Sequence, residues 1–407
     1  MRPILKQQQN DQVTAEENTR DILMVSAVCF STITLVIILF GMTMLYSTSF
    51  GTAGSGYFLK QLMWFSIGMT GLAGILFFGY KRVSDWSPWM MIGIWLLLLI
   101  ADVCFPAVNG AHRWIKIPGI GNIQPSEYAK VIITLFLGKY LSDRMRQIEK
   151  TPFRTFFFGG IFCGLVIVMV ALGKDLGTST LLSLLFLGMM YIAGITWKLI
   201  VPLLALAAGG AFAVIMAFDP MRRARITTFI NPEPMQAEDG YQLWNSMLAL
   251  GSGGWNGVGF TESRMKMKYL PEAHTDFILS IVGEELGIIS MLAVIASYLL
   301  FLFFSMRIAR HARTRQGMLI AGGCSLFIIL QAFINIGVIC GALPTKGMPA
   351  PFISYGGSSL VTCLIASGLI LSIAIDGVYP DYQNLVRIKI HEIIERYNPL
   401  KKKENTI

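Results

Sequence analysis

The stretch "VSAVCFSTITLVIILFGMTMLY", Val25–Tyr46, contains no charged side chain. A helix of about 20 such residues crosses the ~30 Å hydrocarbon core of a bilayer. Backbone groups in lipid must pair within the segment, so only helices or a closed barrel can span. This run is far too long for a barrel strand, and "MLAVIASYLLFLFF", Met291–Phe304, repeats the pattern. Composition agrees across the 407 residues: 54% are hydrophobic and only 14% charged, against about 25% charged in soluble domains. The mean hydropathy is +0.60. The expectation is an all-α polytopic integral membrane protein.

Ten spans are expected, near 22–46, 61–79, 88–106, 125–141, 155–173, 177–195, 198–218, 277–305, 317–341 and 357–376. Residues 1–21 then form a cytoplasmic N-terminal tail, 22–376 the membrane domain, and 377–407 a basic cytoplasmic C-terminal tail. With both termini inside, 21 of the 33 Lys and Arg face the cytoplasm, including "KYLSDRMRQIEKTPFR" and "RIARHARTR". The positive-inside rule favours this orientation and accounts for most of the basic pI, with no need of nucleic acid. The six cysteines lie in or beside apolar runs without CxxC spacing. They exclude a disulfide scaffold and a thiolate metal site. The polar first 21 residues and the long run after them do not fit a cleavable signal peptide.

This orientation places a large loop, 219–276, outside the cytoplasm between spans 7 and 8. Within it "GYQLWNSMLALGSGG" sets Leu243, Met247 and Leu250 on one helical face, which predicts a short helix at the interface or dipping inward. "RMKMKY" alternates, so an extended chain would turn Arg264, Lys266 and Lys268 one way, as a solvated edge or a basic rail.

Charged residues gather on this outer side. In "YLPEAHTDFILSIVGEELG", Asp276 is expected in the first turn of span 8, as a helix cap or a general base. Glu272 and His274 belong to the approach or to loop surface. Glu284 and Glu285 lie about two turns deeper. Carboxylates inside a membrane face a cavity or a partner, so these two would tune the cavity or brace a neighbouring helix. "NGAHRWIKIPGIGNIQPSEYAK" supplies Arg113, and its Pro125 and Glu127 suit the N1 and N3 positions of a helix start. Lys130, one turn on, can pair with Glu127. "ALGKDLGTST" puts Asp175 in a short outer turn, and Lys346 is the one charge in "CGALPTKGMPAPFISYGGSSL".

The stretches "HRWI", "IQPSEYAK", "GKDLGTS", "LPEAHTDFI…GEELG" and "LPTKG…PFISYGGSSL", in this order, resemble the SEDS (shape, elongation, division and sporulation) family over about residues 20–376. "LPTKG" and "LPEAHTDF" are closer to its cell-division branch than to its rod-elongation branch. The family more often has proline before the aspartate of "GKDLGTS". The resemblance implies a ten-helix bacterial inner-membrane glycosyltransferase, at the division septum, that polymerises lipid II (undecaprenyl-pyrophosphate disaccharide pentapeptide) into β-1,4 glycan strands. It implies inversion at the anomeric carbon, with Asp276 as the catalytic residue. Arg113, Lys130 and Lys346 match its conserved cations, with Glu127, His274 and Glu272 beside them. A class B penicillin-binding protein and other divisome proteins are the implied partners. The motifs name no cofactor and show no clear metal-ligand cluster, and a divalent cation (Mg or Mn) could share the pyrophosphate. Two other functions fit part of the pattern: a lipid II flippase, and a non-enzymatic division scaffold for a penicillin-binding protein.

Overall fold

The computed structural model describes residues 2–53, 56–106, 111–119, 121–205, 209, 240–267, 269–344, 347–380 and 382. Besides the helical residues 197–205, twelve helices and one hairpin follow in order among them: α1 (Arg2–Ala53), α2 (Gly56–Phe78), α3 (Tyr80–Asp85), α4 (Ser87–Cys104), β1 (Ile115–Ile117), β2 (Gly121–Ile123), α5 (Pro125–Asp143), α6 (Met145–Lys150), α7 (Pro152–Leu172), α8 (Leu176–Ile192), α9 (Tyr241–Ser252), α10 (Ile278–Arg310), α11 (Arg315–Ile339) and α12 (Gly357–Val378). A single-turn 3₁₀ helix covers Met265–Met267. The chain is an all-helical, multi-span membrane protein.

Among the described residues, seven helices are long and apolar enough to cross a bilayer: α2, α4, α7, α10, α11, α12 and the stretch of α1 from Glu16 to Ser49. α5 and α8 fall outside that set for different reasons. α8 has 17 residues, while α5 carries four charged residues, Glu127, Lys130, Lys139 and Asp143. Both are sheltered by neighbours: α5 packs on α4, α8, α11 and α12. The seventh expected span, 198–218, is described only through residues 197–205, which are helical, and 209. Helix α1 begins at Arg2, so the expected N-terminal tail is helical and continuous with the first span. Its "QQQNDQVTAEENTR" stretch is polar but holds no Gly or Pro to stop the helix.

The bundle centre is formed by α10, α11 and α12, with α2 lying along α12 and α1 along α10. Leu39, Val103 and Phe333 are among the large apolar side chains on the outside. An apolar exterior is what a lipid environment requires. At the end expected to be cytoplasmic, buried Asp376 binds Lys81 at 2.8 Å and accepts from the Tyr80 hydroxyl at 3.2 Å. Labelling an engineered cysteine at Ala312, in the α10–α11 turn, tests the orientation: the expected result is reaction only after the cytoplasm is opened, and labelling in intact cells would reverse the topology.

α10 is interrupted at Gly287, whose backbone sits at φ 73° and ψ −175°. The segment after α9 fills the break. Val258 and Gly259 donate to the carbonyls of Glu284 and Glu285 at 2.9 and 3.0 Å, and Ile288 donates to Gly254 at 3.0 Å. A Cβ at Gly287 would stand 2.3 Å from the Trp255 carbonyl oxygen. Only glycine combines this dihedral with so close an approach. The same segment carries the expected short helix: α9 does form, and packs inward on α10 and α11. Its buried Ser246 bonds Ser280 at 2.7 Å and the Ile339 carbonyl at 3.0 Å.

Candidate active site

Three chain segments meet at the end of the bundle expected to face outward. The first runs from Arg113 through the β1–β2 hairpin, where Ile115 pairs with Ile123, into α5. Pro125 opens that helix and Glu127 lies in its first turn. The second is the turn before α8. Asp175 caps α8 by accepting from Thr178 N–H at 3.2 Å. Its other oxygen accepts from Gln124 at 2.9 Å and Ser126 at 3.2 Å, and Arg113 Nη1 lies 3.9 Å from the capping oxygen. Buried Asp175 thus ties α8, the start of α5 and Arg113 together. The third segment is the approach to α10, which carries Asp276.

Asp276 does not sit in the first turn of α10, as the sequence led us to expect. That helix starts at Ile278 with Phe277 as its cap. The cause is a tight turn at Glu272, which adopts φ 56°. Its carbonyl accepts from Thr275 at 3.1 Å and Phe277 at 3.3 Å, which uses up the residues before the helix. The His274 carbonyl accepts from Tyr355 N–H at 2.9 Å, and its ring stacks on Tyr57 at 4.4 Å. Asn335 of α11 donates to the Asp276 carbonyl at 2.8 Å and to the Met348 carbonyl at 2.7 Å.

Gly347 is where the groups converge. A Cβ there would lie 2.9 Å from Asp276 Oδ2 and 4.0 Å from Arg113 Nη2. A carboxylate and a guanidinium therefore both lie close to one glycine, and a larger residue would crowd the acid. Burial, together with the neighbouring Glu272 carboxylate, pushes the Asp276 carboxyl up to about 7. Arg113 opposes that rise, while Asp175 and Glu127 add to it. Burial also holds His274 below its ordinary value, against the pull of Glu272, so its ring is neutral at pH 7.

Lys130 lies beneath this surface. It is only 1% exposed, and its ammonium contacts Glu127 at 2.6 Å and Gln331 at 2.7 Å. The pairing with Glu127 is as expected, but a direct ligand role is not what this arrangement offers. A buried cation needs such partners to offset its desolvation, and both are committed to it. Three buried polar atoms near Asp276 have no partner among the described residues: Arg113 Nε, Glu127 Oε2 and Asn335 Oδ1. Buried polar atoms are rarely left so, and these are the atoms a polar ligand would engage. Lys346 lies outside the described residues. So do 219–239 and Lys268 of the large loop and nearly all of the C-terminal tail.

Glu284 and Glu285 do not join Asp276. Glu284 accepts from the Ser263 hydroxyl and from Arg264 N–H at 2.9 Å. Glu285 accepts from Ser47 of α1 at 2.6 Å and from Lys266 at 2.6 Å. They fasten the outer loop onto α10 and α1. The extended "RMKMKY" strand is a further correction: the 3₁₀ turn sends Lys266 inward to Glu285, and Met267 and Tyr269 outward. Sequence reading passed over Gln331 and Asn335. Their only signal was two amides four residues apart in an apolar run. Among the described residues, no group of three or more His, Cys, Asp or Glu is arranged to hold a metal ion.

Comparison with known proteins adds the following. A family model described as "Cell cycle protein" (FtsW/RodA/SpoVE) matches residues 25–377. The chain is 36% identical over 345 residues to the probable peptidoglycan glycosyltransferase FtsW of Geobacter metallireducens, covering 82% of this chain and 91% of that one. It is 35% identical over 375 residues to the stage V sporulation protein E of Bacillus subtilis, covering 89% and 99%. Two solved structures share its fold. One is the chain from "Structural coordination of polymerization and crosslinking by a peptidoglycan synthase complex" (TM-score 0.73, 24% identity, 86% of this chain and 98% of that one). The other is the rod shape determining protein RodA of Thermus thermophilus (TM-score 0.63, 22% identity, 85% and 96%). With a family match over nearly the whole membrane part and relatives above 30% identity across most of their length, this chain belongs to the SEDS family, the FtsW/RodA/SpoVE cell cycle proteins.

Proposed function

We propose that this chain is a peptidoglycan glycosyltransferase that polymerises lipid II on the outer face of the bacterial inner membrane, at the division septum. The observation that carries the reading is the Asp276 carboxyl, raised to about 7 and set against Arg113 across Gly347. A base is most effective when its pKa lies near the working pH. In the reaction, the acceptor's 4-hydroxyl oxygen bonds to the donor's anomeric carbon as the bond to the lipid pyrophosphate breaks. Asp276 takes the hydroxyl proton, and the leaving pyrophosphate keeps the bonding electrons. Arg113, with a free Nε, is placed to meet that growing charge. Lys130, Glu127 and Asp175 act from beneath by holding the α5 and α8 ends in register. Neutral His274 and Glu272 form the wall that carries Asp276.

The test is polymer formation from lipid II in detergent across a pH series. Rate per folded molecule is expected to rise through about pH 7 as Asp276 ionises. Stability should move oppositely. The folded-state value lies above the ordinary 3.8, so the stability contributed by protonated Asp276 is complete below pH 3.8 and is lost as pH rises through about 7. A flippase has no membrane to cross in this assay and would make no polymer, and a scaffold would make none either. An acid limb near pH 4 would remove Asp276 as the raised base.

The proposed partner is a single-span class B penicillin-binding protein, since the reaction above makes glycan chains but no peptide crosslinks. The same assay on a copurified complex is expected to yield β-lactam-sensitive crosslinked product. Absence of crosslinking by an active, copurified pair would count against that partnership.

A further inference from the structure

Asn335 makes contacts that helix packing does not require. It sits on α11, one turn beyond Gln331, and is 2% exposed. Its amide nitrogen bridges two peptides that are far apart in sequence: the carbonyl of Asp276 and the carbonyl of Met348. Gln331 repeats the device one turn away. It donates to the Pro349 carbonyl at 2.8 Å and to Ser359 at 3.2 Å, while its oxygen receives Lys130. Two amides on one helical face therefore hold consecutive carbonyls of the segment after Lys346. One of them also holds the acid's own backbone.

The bridge bears on the place where the acid meets its surroundings. Gly347 precedes Met348 directly, and its α-carbon leaves room for Asp276 Oδ2. Fixing the Met348 carbonyl to the Asp276 carbonyl sets how closely Gly347 faces the carboxylate. Among the described residues, the Asn335 carbonyl oxygen is buried and unpartnered beside them. Among those residues, the charged groups acting on Asp276 are Glu272 from its own turn, Arg113 from the hairpin, Asp175 from the α8 turn and Glu127 from α5. Asn335 adds no charge to this set. Its effect is through geometry.

We infer that Asn335 is a positioning residue for the general base: it locks the Asp276 peptide to the Met348 peptide, so that the carboxylate is held in the Gly347 cradle facing Arg113. The inference rests on the reading of Asp276 as the base. Losing the bridge frees the carboxylate to turn toward water, away from its attack position. A misplacement of about 1 Å at a reacting group can cost about 10²-fold in rate.

The experiment compares parent, Asn335→Leu and Asn335→Ser in the lipid II assay at matched folded concentration, with a pH profile for each. Leucine keeps the volume and cannot donate. Serine keeps one donor and can hold one carbonyl but not both, and it serves as the test if leucine does not fold. The expected result is kcat about 10²-fold lower for Asn335→Leu, with KM near parental, and an intermediate loss for Asn335→Ser. The acid limb should also move below the parental midpoint, as the freed carboxyl regains water. Parental kcat and midpoint per folded molecule in both variants would overturn the inference. So would a loss that follows folded yield alone. A parent protein that makes no polymer overturns the polymerase reading itself, and is told apart from an active parent with active variants.

Discussion

Asp276→Asn is expected to fold, to insert, and to make almost no glycan polymer. Asparagine preserves the size of the side chain and its fit against Gly347, but it cannot take a proton at pH 7. A general base contributes about 10² to 10⁴ in rate, and the loss should fall in that range. The competing account makes this acid a cap for α10. Against it, the helix begins after Phe277 and its cap carries no side-chain hydrogen bond. Asparagine would in any case serve nearly as well in a capping role. The variant should also resist unfolding better than the parent at pH 8, because the parent there carries a partly buried charge that asparagine lacks. Gel analysis of polymer amount and length, beside thermal unfolding at two pH values, separates the accounts. Near-parental polymer from this variant would return Asp276 to a structural role.

The largest loss of stability should come from Glu285→Ala or Lys266→Met taken singly. Glu285 is fully buried and its partner nearly so, with 2.6 Å between the charged atoms. Removing one member strands the other charge in the outer half of the bundle. Breaking a buried pair in this way costs about 3–5 kcal/mol. Removing both at once, as Lys266→Met with Glu285→Leu, should recover most of the loss, since an apolar pair of similar volume needs no compensation. Thermal unfolding of the three variants in one detergent is the measurement. Single variants that melt with the parent, or a double variant as weak as the worse single, would show that this pair does not hold the loop.

The fold was legible because each span is written locally. An uncharged run such as Val25–Tyr46 has no alternative to a membrane helix, whatever surrounds it. The outer location of Asp276 followed from the same counting of spans and basic loops. What escaped depends on contacts between distant segments. Asp175 gathers Gln124, Ser126 and Arg113, which no spacing in "GKDLGTS" announces. Lys266 was assigned to the wrong side because alternation was read with a period of two. A 3₁₀ turn has a period of three, and Glu285 rewards the inward position. Asp276 fell outside its helix because a left-handed Glu272 is not a residue choice that sequence advertises. Asn335 and Gln331 were hidden by their setting, two amides among apolar neighbours whose value lies in carbonyls 13 and 18 residues away.

The interruption at Gly287 also decides what can vary in this protein without harm. Each residue added to a continuous helix turns everything beyond it by about 100°. Here the carbonyls of Glu284 and Glu285 are read by Val258 and Gly259 rather than by the next turn of the same helix. The phase of residues 278–286 is therefore set by the chain that follows α9, and not by the long membrane stretch from 288 to 310. A lengthening or shortening of that stretch, to suit a thicker or thinner bilayer, would be absorbed at the glycine. Glu284, Glu285 and the Asp276 that precedes them would keep their compass bearing.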